Sequence, residues 1–310
     1  MLQYIGKRIL MMIPVLLGVS FIIFTILALT PGDPARTMLG MDATTENVEA
    51  LREQLGLNDP FFVRYFNWVI NAVRGDFGNS YSRKIPVIQE ILARFPATLK
   101  LAAGGMVIMV GIGVPVGIMS AVKQYSLADS VSMVTAMLLT SMPPFWFGLL
   151  LQLLFALQLG WLPATGADTL KHFILPCVTL AASMMASLIR MTRSNMLEVI
   201  RMDYIRTARA KGANERTVIY KHALRNALLP VITIIGLNFG GLLGGTMIIE
   251  SVFGLPGLGT NAIGAIREKD TPMVMTSVLF VACLAGFINL AVDIIYAFVD
   301  PRIKSQYAKR

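Results

Sequence analysis

The chain has 310 residues, 55% of them hydrophobic and only 15% charged, with a mean hydropathy of +0.66. A soluble domain carries about 25% charged residues, so this composition argues against a soluble enzyme or binding module. The net charge of +9, which in a soluble protein would suggest a nucleic-acid partner, reads here as the orientation signal of a membrane protein; no nucleic acid is expected.

The first apolar run, Ile9 to Leu29, follows Lys7 and Arg8. It is longer than the core of a secretory signal, has no small-x-small site after it, and stops at Thr30-Pro31-Gly32-Asp33-Pro34. It is read as a retained first span, residues 1–30. Residues 31–98 form a helical segment on the outer side. Thr45 caps a helix with Val48, Leu51 and Leu55 on one face, ended by Gly56. Phe61, Phe62, Tyr65, Phe66, Trp68 and Val69 share the next stretch with Arg64, Asn67 and Asn71, a mixture suited to the headgroup level. A third short helix starts at Pro86 and carries Val87, Ile88, Ile91 and Leu92. These helices either pack on the bundle or cover an outer mouth that receives a partner protein.

Five further spans follow: Leu101 to Val122, Val131 to Leu157, Phe173 to Ile189, Ala227 to Ile249, and Met273 to Phe298, each able to cross about 30 Å of hydrocarbon. Pro143-Pro144 breaks the third span, because prolines remove backbone donors. With the N-terminus inside, the inner pieces hold 16 Lys/Arg against 5 Asp/Glu, and the outer pieces 10 against 12. Both termini are therefore expected in the cytoplasm. The methionines Met106, Met109, Met119, Met184 and Met185 read as apolar filling. Cys177 and Cys283 lie in apolar segments without CxxC spacing and read as packing residues, not as a disulfide or a metal site.

The inner loop at about 190–226 is the most patterned stretch. Asp203 is a suitable N-cap for a helix from Tyr204 to Lys211, and Gly212 ends it. Arg209 and Lys211 fall in the last turn, where they suit the helix dipole. Asn214 caps a second helix that carries Glu215 and runs through His222 towards Pro230. The first helix displays Tyr204, Ile205 and Ala208, apolar enough to dock into a groove on another protein.

In the fifth span, Gly236, Gly240 and Gly244 recur every four residues, which permits close helix approach. They border either a partner, the pathway, or neighbouring helices of the same chain. The following stretch, Glu250 to Gly259, reads as a turn-rich connection with Phe253 and Leu255 exposed. Asp293 is the one clear acid inside a span. It has Asn289 one turn before it and Tyr296 and Arg302 nearby, and is read as structural; an ion relay in a secondary transporter is the alternative. There is no HExxH, GxSxG or GxxxxGK[ST], so no catalytic or metal residue is assigned and energy must come from another chain. His172 and His222 fall on opposite sides and share no metal.

The stretch Asp203-Tyr-Ile-Arg-Thr-Ala-Arg-Ala-Lys-Gly212, with His222-Ala-Leu-Arg-Asn-Ala-Leu-Leu-Pro230 after it, resembles the EAA-loop of ABC importer permeases of the dipeptide/oligopeptide branch. Counterparts of Pro31-Gly-Asp-Pro34, Gly75-Asp-Phe-Gly-Asn-Ser80, Arg94-Phe-Pro-Ala-Thr98, Gly160-Trp-Leu-Pro163, Glu250-Ser-Val-Phe-Gly-Leu-Pro-Gly-Leu-Gly259 and Asp300-Pro-Arg302 occur in the order of that branch's first permease subunit. The sequence departs from the general pattern at Arg206, Thr207 and Arg225.

The resemblance implies an all-α, six-span type I (MetI-like) permease with an extracytoplasmic insertion after span one and a core at 99–302. It also implies a place in the bacterial cytoplasmic membrane. Asp203, Tyr204, Ile205, Arg206, Thr207, Ala208, Arg209, Ala210, Lys211 and Gly212 would couple to an ATPase, and Glu250, Phe253, Gly254, Pro256 and Gly257 would lie near an outer gate. The implied partners are a second homologous permease, two ATPase subunits that hold ATP and Mg, and an extracytoplasmic solute-binding protein. The implied cargo is a peptide, with glutathione, a nickel chelate or an oligosaccharide as alternatives.

Overall fold

In hydrocarbon every unpaired peptide group is costly, and a helix is the element that pairs its backbone groups locally. The computed structural model describes residues 2–40 and 42–299, and the regular elements among them are helical, apart from one isolated antiparallel bridge between Asn79 and Pro86. The first half contains α1 (Leu2–Leu29), α2 (Pro34–Leu39), α3 (Thr45–Gln54), α4 (Phe61–Val73), α5 (Val87–Val122), α6 (Leu127–Ser141) and α7 (Pro144–Leu151), the last continuing as a π-helix over Gln152–Gln158. The second half contains α8 (Lys171–Ile200), α9 (Asp203–Ala210), α10 (Glu215–Thr217) leading into a π-helix at Val218–Ala223, α11 (Leu224–Phe253), α12 (Leu258–Arg267) and α13 (Thr271–Val299).

Among the described residues, α1, α5, α8 and α13 are each long and apolar enough to cross a membrane. Two bent pairs would raise the number to six if each is one span. One turns by 109° between α6 and α7, and the other by 52° at Pro230. The first bend falls where Pro143-Pro144 was expected to break the chain. In the π-helix beyond it, the Gln152 amide donates to the carbonyls of Ala164 (2.9 Å) and Val252 (3.2 Å), tying the irregular backbone to its neighbours.

Several boundaries differ from the sequence expectations, and α8 runs on to Ile200 where Ile189 was expected. Thr44, not Thr45, is the N-cap of α3, its hydroxyl accepting from Asn47 N at 3.4 Å. The short helix expected from Pro86 does not end before the next span, because α5 runs for 36 residues straight through Pro96. The Glu90–Arg94 pair (2.8 Å), one turn apart, supports the helix on the N-terminal side of that proline. Helix α11 runs on to Phe253, four residues past the expected end.

Packing groups the chain into two compact units. One comprises Leu2–Thr98 and Pro256–Gly286. Here α4 lies on α1: the Tyr65 hydroxyl is 3.1 Å from the Leu17 carbonyl and 3.0 Å from Ser20 Oγ, and its ring meets Phe21 edge-on. Phe62, Phe66 and Ile70 on the opposite face stay exposed.

The polar centre of this unit is Asp270, which is buried. Its carboxylate accepts from the hydroxyls of Ser80 and Ser82 and from Ser82 N, and it caps α13 through Met273 N at 3.2 Å. Nearby, Thr98 Oγ1 accepts from Leu258 N at 2.8 Å at the start of α12, and Arg83 reaches both Glu90 and Asn261. The other unit comprises Leu99–Leu255 and, among the described residues, 287–299. Its core joins Leu101 of α5, Leu180 of α8, and Leu242, Ile249 and Phe253 of α11.

Asp270→Ala would leave buried donors unpaired, and the expected cost is about 3 kcal/mol. The variant should melt earlier in detergent, and trypsin should cut faster after Arg83 and Lys84, the segment that the carboxylate tethers.

Candidate functional site

The loop between α8 and α11 folds as two short helical pieces about a glycine. Asp203 is the first residue of α9 and not its N-cap; that position is held by Met202, which provides no side-chain bond. From there Asp203 still faces the positive end of the helix dipole. It lies 3.8 Å from Arg206. At the other end Gly212 has φ +79°, a conformation that costs a residue with a Cβ about 1–2 kcal/mol. Gly212 N donates to Arg209 O and Ala213 N to Ala208 O, closing the turn. Asn214 then caps α10, its Oδ1 accepting from Thr217 N at 2.8 Å.

Arg209 braces the turn by meeting Glu215 with Nε (3.2 Å) and Nη2 (2.6 Å). This bond holds the Glu215 carboxyl below its ordinary range. Both groups are substantially exposed, so the pair adds orientation more than stability.

Ile205 corrects the sequence reading. It is not displayed but fully buried, together with Val218, Ile219 and Ala223, against Ile118 and Ala121 of α5 and Met196 and Val199 of α8. Burying such a side chain contributes about 2–3 kcal/mol, so Ile205 is the peg that seats the knob. Ala208, one turn on, is half-buried on the same side. The free face carries Tyr204, Arg206, Thr207, Ala210 and Lys211. Tyr204 is not wholly free, because its hydroxyl accepts from Asn226 Nδ2 at 2.8 Å, which pins α9 to the start of α11.

An ion pair with a buried carboxylate, not anticipated from sequence, holds helix ends together near the knob. Asp129 of α6 is 3% exposed. It takes Arg193 of α8 in a two-pronged bond, Nε to Oδ1 at 2.7 Å and Nη2 to Oδ2 at 2.8 Å. The same carboxylate accepts from Ser120 Oγ of α5 and from Tyr125 N at 2.9 Å. One side chain thus ties α5, α6 and α8 together. The only local signal was Ser126 three residues ahead, whose hydroxyl accepts from Asp129 N. That spacing reads as an ordinary helix start and says nothing of Arg193.

The remaining candidates divide. Gly236 and Gly240 face Val292 and Asn289 of α13, so close packing within the chain accounts for both, whereas Gly244 faces open space. The expected exposed connection after the fifth span is packed instead. Phe253 and Leu255 are buried, and the Phe253 ring lies over Gly148 and α8 residues including Leu175 and Leu180. Glu250 is buried as well, and its carbonyl accepts from Gly254 N and Leu255 N. Gly254, at φ +61°, supplies the left-handed residue that ends α11. Pro256 is exposed and Gly257 precedes α12. Asp293 is half-buried on α13; Asp300-Pro301-Arg302 and the Tyr296 side chain lie outside the described residues. Cys177 is buried with its thiol 3.6 Å from Leu101 O, and Cys283 is partly buried. Among the described residues no three His, Cys, Asp or Glu side chains gather as a metal site.

A family model described as the binding-protein-dependent transport system inner membrane component matches residues 113–305, and a second, for the N-terminal part of such membrane components, matches residues 1–102. The dipeptide transport system permease protein of Alkalihalophilus pseudofirmus is 42% identical, over 98% of this chain and 100% of that protein. The glutathione transport system permease protein of Escherichia coli K12 is 43% identical, over 98% of this chain and 99% of that protein. Among solved structures, an inward-facing methionine ABC transporter aligns with TM-score 0.57 at 21% identity, over 68% of this chain and 97% of the other. An amino acid ABC transporter aligns with TM-score 0.52 at 17% identity, over 69% and 94%. These two likenesses concern the fold, which is that of MetI-type permeases. The chain belongs to the binding-protein-dependent transport permeases and is a multi-pass membrane subunit of an ABC importer.

Asp129→Ala leaves the Ser120 hydroxyl and the partly exposed Arg193 guanidinium without their acceptor, at an expected cost of about 1–3 kcal/mol. The variant should unfold at lower temperature in detergent. Pairing it with Arg193→Met should recover part of the loss, which thermal unfolding of the four-member cycle measures.

Proposed function

We propose that this chain is one of two homologous permease subunits of an importer that moves short peptides from an extracytoplasmic binding protein into the cytoplasm. Two ATPase subunits, which bind ATP and Mg, drive the movement. In this reading each bent helix pair is one span, giving six spans in the bacterial cytoplasmic membrane, with both termini inside as the Lys/Arg distribution favours. Residues 31–98 form the outer insertion and 99–302 the permease core. This chain itself carries no catalysis and binds no nucleotide.

The observation that carries the coupling role is the division of α9 into two faces. Ile205 is buried in the permease, while Arg206, Thr207 and Lys211 are exposed, and Tyr204 is exposed with its hydroxyl tied to Asn226. A force applied to that outer face passes through Ile205 to α5 and α8, because a packed core moves as a body. The Asp129–Arg193 bond links α6 to the same ends. ATP-driven closure of the ATPase pair would therefore shift several helix ends at once. Gly244 is the glycine left for the second permease or the pathway, and Glu250 to Gly257 is the region assigned to the outer gate.

Two relatives of nearly equal identity carry dipeptide and glutathione in their names. Both cargoes are short, peptide-bonded and ionised, so the class is stated as short peptides, with glutathione the second reading. In proteoliposomes with the binding protein and ATPases that co-purify, uptake should be competed by dipeptides or glutathione and not by oligosaccharide. Competition by oligosaccharide alone would overturn the peptide assignment.

Gly212→Val tests the coupling. An added Cβ meets no atom within 4 Å, so the effect is confined to the turn, where a β-branched residue resists positive φ. Membrane insertion and ATP hydrolysis should persist while uptake falls at least about tenfold, equivalent to 1.4 kcal/mol. Unchanged uptake would remove α9 from the coupling path.

A further inference from the structure

We propose that a cavity in the unit formed by residues 2–98 and 256–286 binds a single anionic phospholipid. The cavity measures about 870 Å³, within the range of small-molecule sites. Its two ends differ in chemistry. One wall is apolar and comes from Ile23 and Leu27, in the last two turns of α1, and from Val274 and Val278, at the start of α13. Both helices are of span length, so this wall lies at the ends of two spans. The other side is made by the adjoining loops and short helices and carries Arg36, Arg52, Arg64 and Lys269, with Asp33 the one carboxylate among the lining residues.

Asp33 is already committed. Its Oδ2 meets Arg52 Nε at 3.1 Å and Nη2 at 3.0 Å. None of the other three cations forms an ion pair among the described residues. Lys269 donates to the Pro31 carbonyl at 2.8 Å, and the Arg64 guanidinium lies 5.8 Å from the centre of the Phe24 ring. Arg36 is exposed. Three uncompensated cations thus stand over an apolar wall at the level where spans end. An inorganic anion would make no use of the apolar wall. A peptide zwitterion would need a carboxylate for its ammonium group, and Asp33 is taken.

An anionic phospholipid uses both ends, with its phosphate on the cations and its acyl chains on α1 and α13. The chains have a way out, because only 11% of the apolar stretch of α1 is buried. The inference needs the membrane character of the chain and not the identity of its cargo.

The test uses the full-length chain, with its co-purifying subunits, stripped of lipid in detergent and examined by native mass spectrometry. Short-chain phosphatidylglycerol, short-chain phosphatidylcholine and inorganic phosphate are titrated separately. One saturable phosphatidylglycerol should bind at least tenfold tighter than phosphatidylcholine, and inorganic phosphate should not displace it. Each cation near a lipid surface contributes about 1 kcal/mol, so the double variant Arg36→Gln, Lys269→Gln should weaken binding roughly thirtyfold. Arg36→Lys, at an exposed position that leaves the fold alone, should retain it. Equal binding of phosphatidylcholine, which would mean annular lipid only, overturns the proposal. So does displacement by phosphate, which would mean an anion site only, and so does unchanged binding in both Arg36→Gln and the double variant.

Discussion

An unpaired peptide group costs several kcal/mol in hydrocarbon, and this one constraint shapes the chain more than any side-chain contact. It makes helices of the apolar runs and dictates what happens where a helix is interrupted. At Pro143-Pro144 the chain turns sharply and α7 opens into a π-helix. The Gln152 amide, which could have faced outward, is spent on two backbone carbonyls from other segments. At Pro230 the helix bends without ending.

The same economy governs buried charge. A carboxylate out of water is tolerated when its lone pairs are filled, and those of Asp129 and Asp270 are filled to different ends. Asp129, on α6, gathers donors from α5, from α8 and from the turn before α6, and so fastens three helices together. Asp270 gathers donors from a loop nearly two hundred residues away and from the first turn of α13. Each therefore concentrates much of the local stability in one side chain.

The knob at α9 and α10 shows how a surface loop becomes a lever. Its caps and its Arg209–Glu215 brace fix the shape of the turn, but they would leave it hinged freely on α8. Ile205 removes that freedom by entering the space between α5 and α8. The rigid seat and the polar outer face together are what a device for passing force between subunits needs. Neither would suffice alone.

The sequence by itself determined the helical class, the long apolar helices, the break at Pro143-Pro144 and the helix–glycine–helix loop. These depend on local rules: apolar run length, missing proline donors, caps, and the backbone freedom of Gly212. Which face of an amphipathic element turns inward is not local. Tyr204, Ile205 and Ala208 looked alike as docking residues until packing took Ile205 and left Tyr204 half-exposed. Phe253 and Leu255 looked like loop residues because Gly254 ends the helix between them, yet both are buried in a cluster with residues of α8. The Asp129–Arg193 bond spans 64 residues and has no periodic or compositional trace, since its partners are chosen by where three helix ends meet. Only the tertiary structure could bring them together, because the contact is fixed by geometry between helices and not by any pattern within one.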